Sequence, residues 1–153
     1  MTPYQRLAEL GLELPPVPEP VANFTNWVRE GDLVFISGQG PVEPDGTRHT
    51  GKLGAGVDSE AAYAHARLTG LNLIAVMHEA LGDLSRVKRV VKLLGMVNAT
   101  PDFIEHPKVV NGCSDLMVAV FGKKGIHARS AVGFSSLPFG ITVEIEAVIA
   151  VED

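Results

Sequence analysis

The stretch IHARSAVGFSSLPFGITVEIEAVIAV, residues 126–151, predicts two neighbouring strands that are joined by a turn. Residues 141–151 are apolar at every second position, and Glu144 lies on the other side of the same strand, so one face belongs to a core. The segment that begins at Arg129 is short and strand-like, and residues 135–140 carry the Pro and Gly that let the chain reverse. Two neighbouring strands would hold Arg129 and Glu144 on one small patch.

Arg129 and Glu144 form the candidate site of this patch. An arginine suits a carboxylate ligand, because its planar guanidinium makes two parallel charge-assisted hydrogen bonds and stays charged near neutral pH. A nearby glutamate supplies an acceptor for water. The same two side chains would also make a structural ion pair on an open sheet edge, and their spacing does not separate the two interpretations.

Length and composition favour one globular domain over residues 1–153. Hydrophobic residues make up 46% and charged residues 20%, and the net charge of −5 argues against nucleic acid as a partner, since phosphate binding needs a basic face. The single cysteine, Cys113, excludes an intrachain disulfide and fits a reducing cytosol. No apolar run reaches the roughly 18 residues of a membrane span, so we expect a cytoplasmic protein with no membrane partner.

The order of predicted elements is typical of an α+β fold. These elements are a short helix over 4–12, a hairpin of strands over 23–28 and 33–37, a polar loop over 43–56, a helix from Asp58 or Ser59 to about Leu81, a strand over 87–99, a helix capped by Asp102 that ends near Gly122, and the two C-terminal strands. Paired strands with helices between them predict a mixed sheet with two helices on one face. The other face is partly apolar, through Val132 and Phe134 or through Ala131 and Gly133, and such faces are commonly closed by oligomerisation.

The sequence gives little support to a metal site, a serine nucleophile or a cysteine nucleophile. The five histidines do not follow a metal-ligand spacing, so no metal site is expected, and no Gly-x-Ser-x-Gly elbow surrounds a serine. Cys113 falls beside an apolar run of a predicted helix, where a small buried thiol is commoner than a nucleophile. Phe24 and Trp27 are more often core residues than ligand walls, although a nearby glycine turn leaves both readings open. Asn111 is first a capping or exposed residue, whose amide could also reach a ligand.

Four sets of segments carry a family resemblance. They are Leu33-Val-Phe-Ile-Ser-Gly-Gln39 with Pro41, Asn72 to Leu81 followed by Val87, Ala128-Arg-Ser130 with Leu137-Pro138, and Val143-Glu-Ile-Glu-Ala147. Together they resemble the reactive-intermediate deaminase family (RidA/YjgF), which includes members labelled endoribonucleases. The last two sets are specific in combination, whereas Ser-Gly-Gln alone is weak. The resemblance spans most of residues 21–151 and leaves residues 1–20 as an N-terminal extension.

The resemblance implies a chorismate-mutase-like fold that assembles as a homotrimer, with a cleft at each subunit boundary. It implies that Arg129 clamps a substrate carboxylate and that Glu144 orients the attacking water. It also implies that Phe24, Gly38 and Asn111 line the cleft.

Two residues depart from the family pattern. Ala131 stands where the family often has a cysteine, and the resemblance implies that this position also contacts the substrate. Phe24 stands where the family has a tyrosine. Both changes leave the carboxylate clamp at Arg129 in place, and they would suit a branch of the family with another substrate.

The function expected from these residues and this resemblance is hydrolytic deamination of small 2-imino or enamine acids to 2-oxo acids and ammonia, without a cofactor. An imine carbon is already electrophilic, so one clamp and one carboxylate suffice. The alternative is a non-catalytic trimer that binds or senses a small carboxylate-bearing metabolite at the same clefts. An endoribonuclease is disfavoured by the acidic balance of charge and by the lack of a His/Lys cluster.

Overall fold

A computed structural model describes residues 1–20 and 22–153 of the chain. Val21, where the family resemblance was expected to begin, lies outside the described residues. The helices and strands are α1 (Pro3–Glu9), β1 (Trp27–Glu30), β2 (Leu33–Gln39), β3 (Lys52–Leu53), β4 (Gly56–Val57), α2 (Ser59–Leu81), β5 (Val87–Asn98), α3 (His106–Phe121), β6 (Ala128–Phe134) and β7 (Val143–Val151). The mixed α+β architecture expected from the sequence is therefore confirmed.

Five strands form one sheet in the order β1-β2-β7-β5-β6. The neighbours β5 and β6 run parallel, and the other neighbouring pairs run antiparallel. Within the polar loop over 43–56 and just beyond it, β3 and β4 make a separate two-stranded parallel pair that the sequence did not predict. The sheet is mixed because α3 carries the chain back to start β6 at the same end as β5, whereas β7 returns by a short turn.

The two long helices cover one face of the sheet. On this helix face the side chains of Val90, Leu93, Val97, Ile145 and Ile149 have no exposed surface. α2 contacts β2 and β7, while α3 contacts β5 and β6. Each fully buried branched side chain of this kind stabilises the fold by about 1.5–3 kcal/mol.

The opposite side, the open face, carries Leu94, Met96, Glu144 and Glu146 on the two central strands. Large apolar side chains on its outer strands are left exposed, and they include Val28, Phe35, Val132 and Phe134. No helix among residues 1–20 and 22–153 is long and apolar enough to cross a membrane.

The sequence correctly predicts α2. Asp58 caps its N-terminus by accepting a hydrogen bond from the backbone N–H of Ala61 at 2.8 Å, and Gly82 ends it in the left-handed conformation at φ 75°. The cap expected at Asp102 is wrong, because α3 begins at His106 with Glu105 at the N-cap position. Asp102 instead accepts a hydrogen bond from the Thr100 hydroxyl at 2.6 Å. Pro107 fits the first turn of α3, where its missing N–H costs nothing.

The first strand begins at Trp27 rather than at Asn23. The last ladder bond is the one that the backbone N–H of Ser37 donates to the carbonyl of Asn26 at 2.9 Å. Beyond it side chains bond the backbone: Asn26 donates to the carbonyl of Pro18 at 2.8 Å, and Ser37 donates to the carbonyl of Thr25 at 2.6 Å. Such side-chain bonds compete with sheet pairing. They also fix the segment around Pro18 beside β2, which matters for the site.

The N-terminal helix α1 is docked on the domain. The predicted start at Thr2-Pro3 is confirmed, since Thr2 and Gln5 form a reciprocal capping box. Leu7 is 3% exposed and joins the main core. The Tyr4 hydroxyl accepts from the backbone N–H of Leu84 and lies 2.8 Å from Nδ1 of His78.

We expect Gly112→Ala to lower the free energy of unfolding by about 2 kcal/mol or more. A Cβ at Gly112 would collide with the backbone carbonyl of Tyr63 and lie 3.0 Å from the backbone N of Arg67, so α2 and α3 would have to separate. Gly70→Ala is the matched helical control, because its Cβ would meet mainly side-chain atoms of Cys113 and Leu116 at 3.1–3.3 Å. Urea unfolding should rank Gly112→Ala as the less stable variant, and the reverse order would contradict this helix contact.

Candidate functional site

Arg129 and Glu144 do not lie on neighbouring strands, so that prediction from the sequence is wrong. β5 lies between β6 and β7 in the sheet. Arg129 is in register with Leu93 on the helix face, and Glu144 is in register with Met96 on the open face. Within one chain the two side chains therefore point to opposite faces of the sheet.

The alternative structural ion pair between Arg129 and Glu144 is likewise absent. Among residues 1–20 and 22–153, neither side chain makes an ion pair within 4 Å. Each belongs to a separate group of side chains, one on the open face and one at the edge of the sheet beside α3.

Glu144 lies in a cavity that a bulge in β2 makes possible. Ile36 pairs with Ala147 and Gln39 pairs with Ile145, so β2 carries one extra residue between these pairs, at Ser37 and Gly38. The Glu144 side chain occupies the space over Gly38, where a Cβ would collide with its carboxylate oxygen and lie 3.0 Å from its Cδ. Glycine at position 38 is therefore a packing requirement of Glu144.

The Glu144 cavity has a volume of about 350 Å³ and is lined mostly by apolar side chains. Phe24 and Phe139 are 48% and 61% exposed, and both stand on its wall. The proline-rich segment contributes Pro18 and Pro20. A cavity of this size with a largely apolar wall and the carboxylates of Glu144 and Glu19 has the character of a small-molecule site.

Burial raises the pKa of the Glu144 carboxyl above its ordinary value, and the nearby carboxylate of Glu146 raises it further. No donor in the described part of the chain hydrogen-bonds the carboxylate. A partly desolvated, unpartnered carboxylate costs stability, and its raised pKa makes it a stronger base once it is ionised.

Arg48 lines the same cavity, and sequence reasoning did not single it out. Its guanidinium carbon lies 4.0 Å from the ring centroid of Phe139. Phe139 has a left-handed backbone at φ 59°, which is uncommon for a residue other than glycine and often marks a functional constraint. The Ser135–Gly140 turn could have signalled an exposed aromatic residue, but not its contact with Arg48.

The loop that carries Arg48 is anchored by its next residue, His49. The His49 ring stacks on His65 at a centroid distance of 4.4 Å, and its Nε2 lies 2.9 Å from the carboxylate of Glu43. His65 Nδ1 lies 2.9 Å from the hydroxyl of the fully buried Thr142. Burial lowers the pKa of His65, and the stacked His49 lowers it further. These contacts hold Arg48 at the cavity without using Glu144.

The second group, the edge cluster, consists of Arg129, Asn111, Ser114 and His127. Arg129 Nη1 donates to Asn111 Oδ1 at 2.8 Å and to Ser114 Oγ at 3.1 Å. Ser114 Oγ lies 2.8 Å from His127 Nε2, and His127 Nδ1 lies 2.6 Å from the carbonyl of Gly125. All four side chains are half-buried. Arg129 is thus neither free in solvent nor neutralised by an internal acid.

Sequence reasoning named two of these four residues. Asn111 lies inside α3 rather than at its cap, so the capping interpretation is wrong. Ser114 and His127 were missed, although Ser114 lies three residues after Asn111 on the helix and His127 two residues before Arg129 on the strand. Those spacings place each pair on one face and are the signal that could have found them.

The remaining residues singled out from the sequence lie outside the Glu144 cavity and the edge cluster. Ala131 is half-buried against the main core on the helix face, on the same strand as Arg129. Cys113 is fully buried, which confirms the expected buried thiol, and burial raises its pKa to about 12. Trp27 packs against the core as predicted. Across residues 1–20 and 22–153, no three His, Cys, Asp or Glu side chains lie close enough to hold a metal ion.

Comparison with known proteins identifies relatives along nearly the whole chain. The sequence profile described as "YjgF/chorismate_mutase-like, putative endoribonuclease" matches residues 4–144. "Protein TCP17" of Trypanosoma cruzi is 45% identical over 144 residues, which cover 94% of this chain and 90% of that protein.

Solved structures share the fold. The protein Atu1372 of Agrobacterium tumefaciens superposes with a TM-score of 0.92 at 42% identity, covering 98% of this chain and 92% of the other. A protein of Shewanella oneidensis MR-1, titled a putative endoribonuclease, superposes with a TM-score of 0.95 at 35% identity over 99% and 100% of the two chains. RidA from Psychrobacter sp. PAMC 21119 is more distant, with a TM-score of 0.62 at 26% identity over 88% and 94%.

We expect Glu144→Gln to raise the free energy of unfolding at pH 7, because a neutral amide avoids the cost of burying the carboxylate. The folded state holds the Glu144 proton more tightly than the unfolded state, so wild-type stability increases as the pH falls through the raised pKa and the gain is complete below the ordinary value of 4.5. The advantage of the variant should therefore shrink at pH 4.

Urea unfolding at pH 7 and pH 4 measures this difference, with the exposed Glu30→Gln as the control. A Glu144→Gln variant that is less stable than wild type at pH 7 would show that the carboxylate is a structural group.

Proposed function

The chain belongs to the RidA/YjgF family, and from that premise we propose that it hydrolyses small 2-imino acids, or their enamine tautomers, to 2-oxo acids and ammonia without a cofactor. The observation that carries the proposal is the Glu144 carboxylate, which is unpartnered, has a raised pKa and lies in a largely apolar cavity. The similar structure from Psychrobacter, which is named RidA, supports the same assignment.

Glu144 acts in this proposal as a general base and then as a general acid. The ionised carboxylate takes one proton from a water molecule while the water oxygen bonds to the imine carbon, and it passes this proton to the nitrogen, which gives a tetrahedral amino alcohol. Glu144 then carries the proton of the new hydroxyl group to the nitrogen as the carbon–nitrogen bond breaks, so that ammonia leaves, the 2-oxo acid forms and the carboxylate is regenerated. A raised pKa suits both halves of this proton shuttle.

Arg129 binds the substrate carboxylate in the proposed reaction. Its guanidinium is half-buried and has no acidic partner in the described part of the chain, so its charge is available to a ligand. Because Arg129 and Glu144 point to opposite faces of one sheet, the site needs the Arg129 edge of one chain beside the Glu144 cavity of another. We propose the homotrimer as the assembly that supplies this arrangement, through the exposed apolar residues of the open face and the free edge of β6.

We expect Arg129→Ala to lower kcat/KM for 2-iminobutanoate generated in situ by about a hundredfold or more, since it removes a charged hydrogen-bonding partner. Glu144→Gln should lower kcat by about 10²- to 10⁴-fold. Ammonia release measures both effects, and Tyr63→Phe, which alters an exposed contact to Asp115, serves as the control. Equal rates for wild type and Arg129→Ala would remove the assignment. Calorimetric binding of 2-oxobutanoate without any turnover would favour the non-catalytic binder.

The two variants should restore each other when they are co-expressed. A site that takes Arg129 from one chain and Glu144 from the next is intact in about a quarter of the sites of a random mixed ring. Mixed oligomers of Arg129→Ala and Glu144→Gln chains should therefore recover about a quarter of wild-type activity. Activity at the level of the two separate variants would place both residues in one chain's site and refute the shared cleft.

A further inference from the structure

The two hydrogens of Arg129 Nη1 are both used inside the chain. One is donated to Asn111 Oδ1 at 2.8 Å and the other to Ser114 Oγ at 3.1 Å. A guanidinium has five N–H donors, so the hydrogen on Nε and the two on Nη2 remain. Within residues 1–20 and 22–153, no acceptor takes any of these three. The Nε hydrogen and one Nη2 hydrogen lie parallel to each other along the Nε–Nη2 edge of the guanidinium, and the second Nη2 hydrogen points toward the edge shared with Nη1.

The direction of the hydrogen bonds behind Arg129 follows from one carbonyl. The oxygen of Gly125 can only accept, so His127 Nδ1, 2.6 Å away, carries a proton. In the neutral ring Nε2 then accepts, and the Ser114 hydroxyl donates to it across 2.8 Å. The lone pairs of Ser114 are thereby left for Arg129. The chain of donors runs from Arg129 through Ser114 to His127, and each bond polarises the next.

The residues that form these hydrogen bonds are held by closely packed elements. Asn111 and Ser114 lie three residues apart on one face of α3. The loop before His127 lies directly on the same helix, because a Cβ at Gly125 would collide with the backbone carbonyl of Met117. The orientation of the guanidinium is therefore set by α3 and this loop, and not by the free rotation of a long side chain.

We infer that Ser114 and His127 are positioning residues that turn Arg129 so that a substrate carboxylate binds along its Nε–Nη2 edge. A carboxylate can fork onto arginine either across the two terminal nitrogens or across Nε and one terminal nitrogen. The first mode needs a hydrogen of Nη1, and both of these are taken. The second mode uses free donors alone. This inference rests on the carboxylate-binding role proposed for Arg129.

The kinetic test compares variants that break the chain of hydrogen bonds with variants that keep it. Ser114→Ala and His127→Leu should raise KM for 2-iminobutanoate by about tenfold, with kcat within about twofold of wild type, because a loosened clamp weakens ground-state and transition-state binding alike. Ser114→Thr keeps the hydroxyl and His127→Gln keeps an acceptor, so both should recover most of the lost affinity. Tyr63→Phe removes a 2.7 Å bond to the neighbouring Asp115 on the same helix and should leave KM unchanged.

A direct test observes ligand binding to the wild-type protein and uses a variant only to assign the signal. In a ¹H–¹⁵N spectrum of the wild-type protein, the Nε–H signal of Arg129, assigned from its loss in Arg129→Lys, should shift when 2-oxobutanoate is added. A ligand-induced shift of the terminal N–H signals without any shift at Nε would place the carboxylate on the other edge and overturn the inference.

Failure of the inference can be told apart from failure of the proposed function. If Arg129→Ala binds 2-oxobutanoate as tightly as wild type, the carboxylate clamp itself is refuted. If Arg129→Ala abolishes binding while Ser114→Ala and His127→Leu leave KM unchanged, only the positioning role is refuted. A fall in kcat with constant KM in Ser114→Ala would also contradict it.

Discussion

The parallel pairing of β6 with β5 is the constraint on which the rest of the site depends. Because α3 makes the crossover between these strands, the helix lies directly over β6, and Arg129 in register with Leu93 must point toward it. The same pairing makes β6 an edge strand, which leaves the Arg129 side of the domain next to a free row of backbone groups. β7 then enters between β2 and β5, and its alternation sends Glu144 to the open face. One choice of strand order thus separates the cation from the acid, and the site proposed here becomes a property of two chains rather than one.

Several residues around the Glu144 cavity are kept at some cost to stability. The carboxylate is half-buried without a partner, Phe139 holds a left-handed backbone, and Phe24 and Phe139 expose large aromatic rings. None of these features strengthens the core, which is complete on the other side of the sheet. Such departures from the most stable arrangement gather at functional sites, where chemistry rather than packing sets the side chain. Their presence together on one cavity is a stronger indication of function than any one of them alone.

The sequence predicts the parts of the fold that depend on local signals. The cap at Asp58, the glycine that ends α2, the Thr2-Pro3 start of α1 and the alternation of β7 all act within a few residues. Strand order does not, because the neighbour of β6 is decided by packing between segments that lie more than thirty residues apart, and two strands joined by a turn are expected to pair unless another strand inserts between them. The site divides in the same way. Arg129 and Glu144 are recognisable from their motif, and the spacings of Ser114 from Asn111 and of His127 from Arg129 could have pointed to these two residues. Arg48 is different, because its contact with Phe139 joins two segments about ninety residues apart that no sequence spacing relates.

Chemistry and substrate selection are carried by different segments in the proposed site. Arg129 is held by α3 and Glu144 by the bulge of β2, and both are parts of the central sheet and its covering helices. The outer wall comes instead from the Pro18–Pro20 segment and from the loop of Arg48, which the His49–His65 stack and the Asn26 side chain fasten to the domain. A change in these outer segments alters the size and charge of the cavity without moving the carboxylate or the clamp. In the proposed site, the residues that would contact the side chain of the substrate are therefore not the residues that would hold its reacting atoms. The substrate range can thus differ from that of distant relatives while the proposed reaction stays the same.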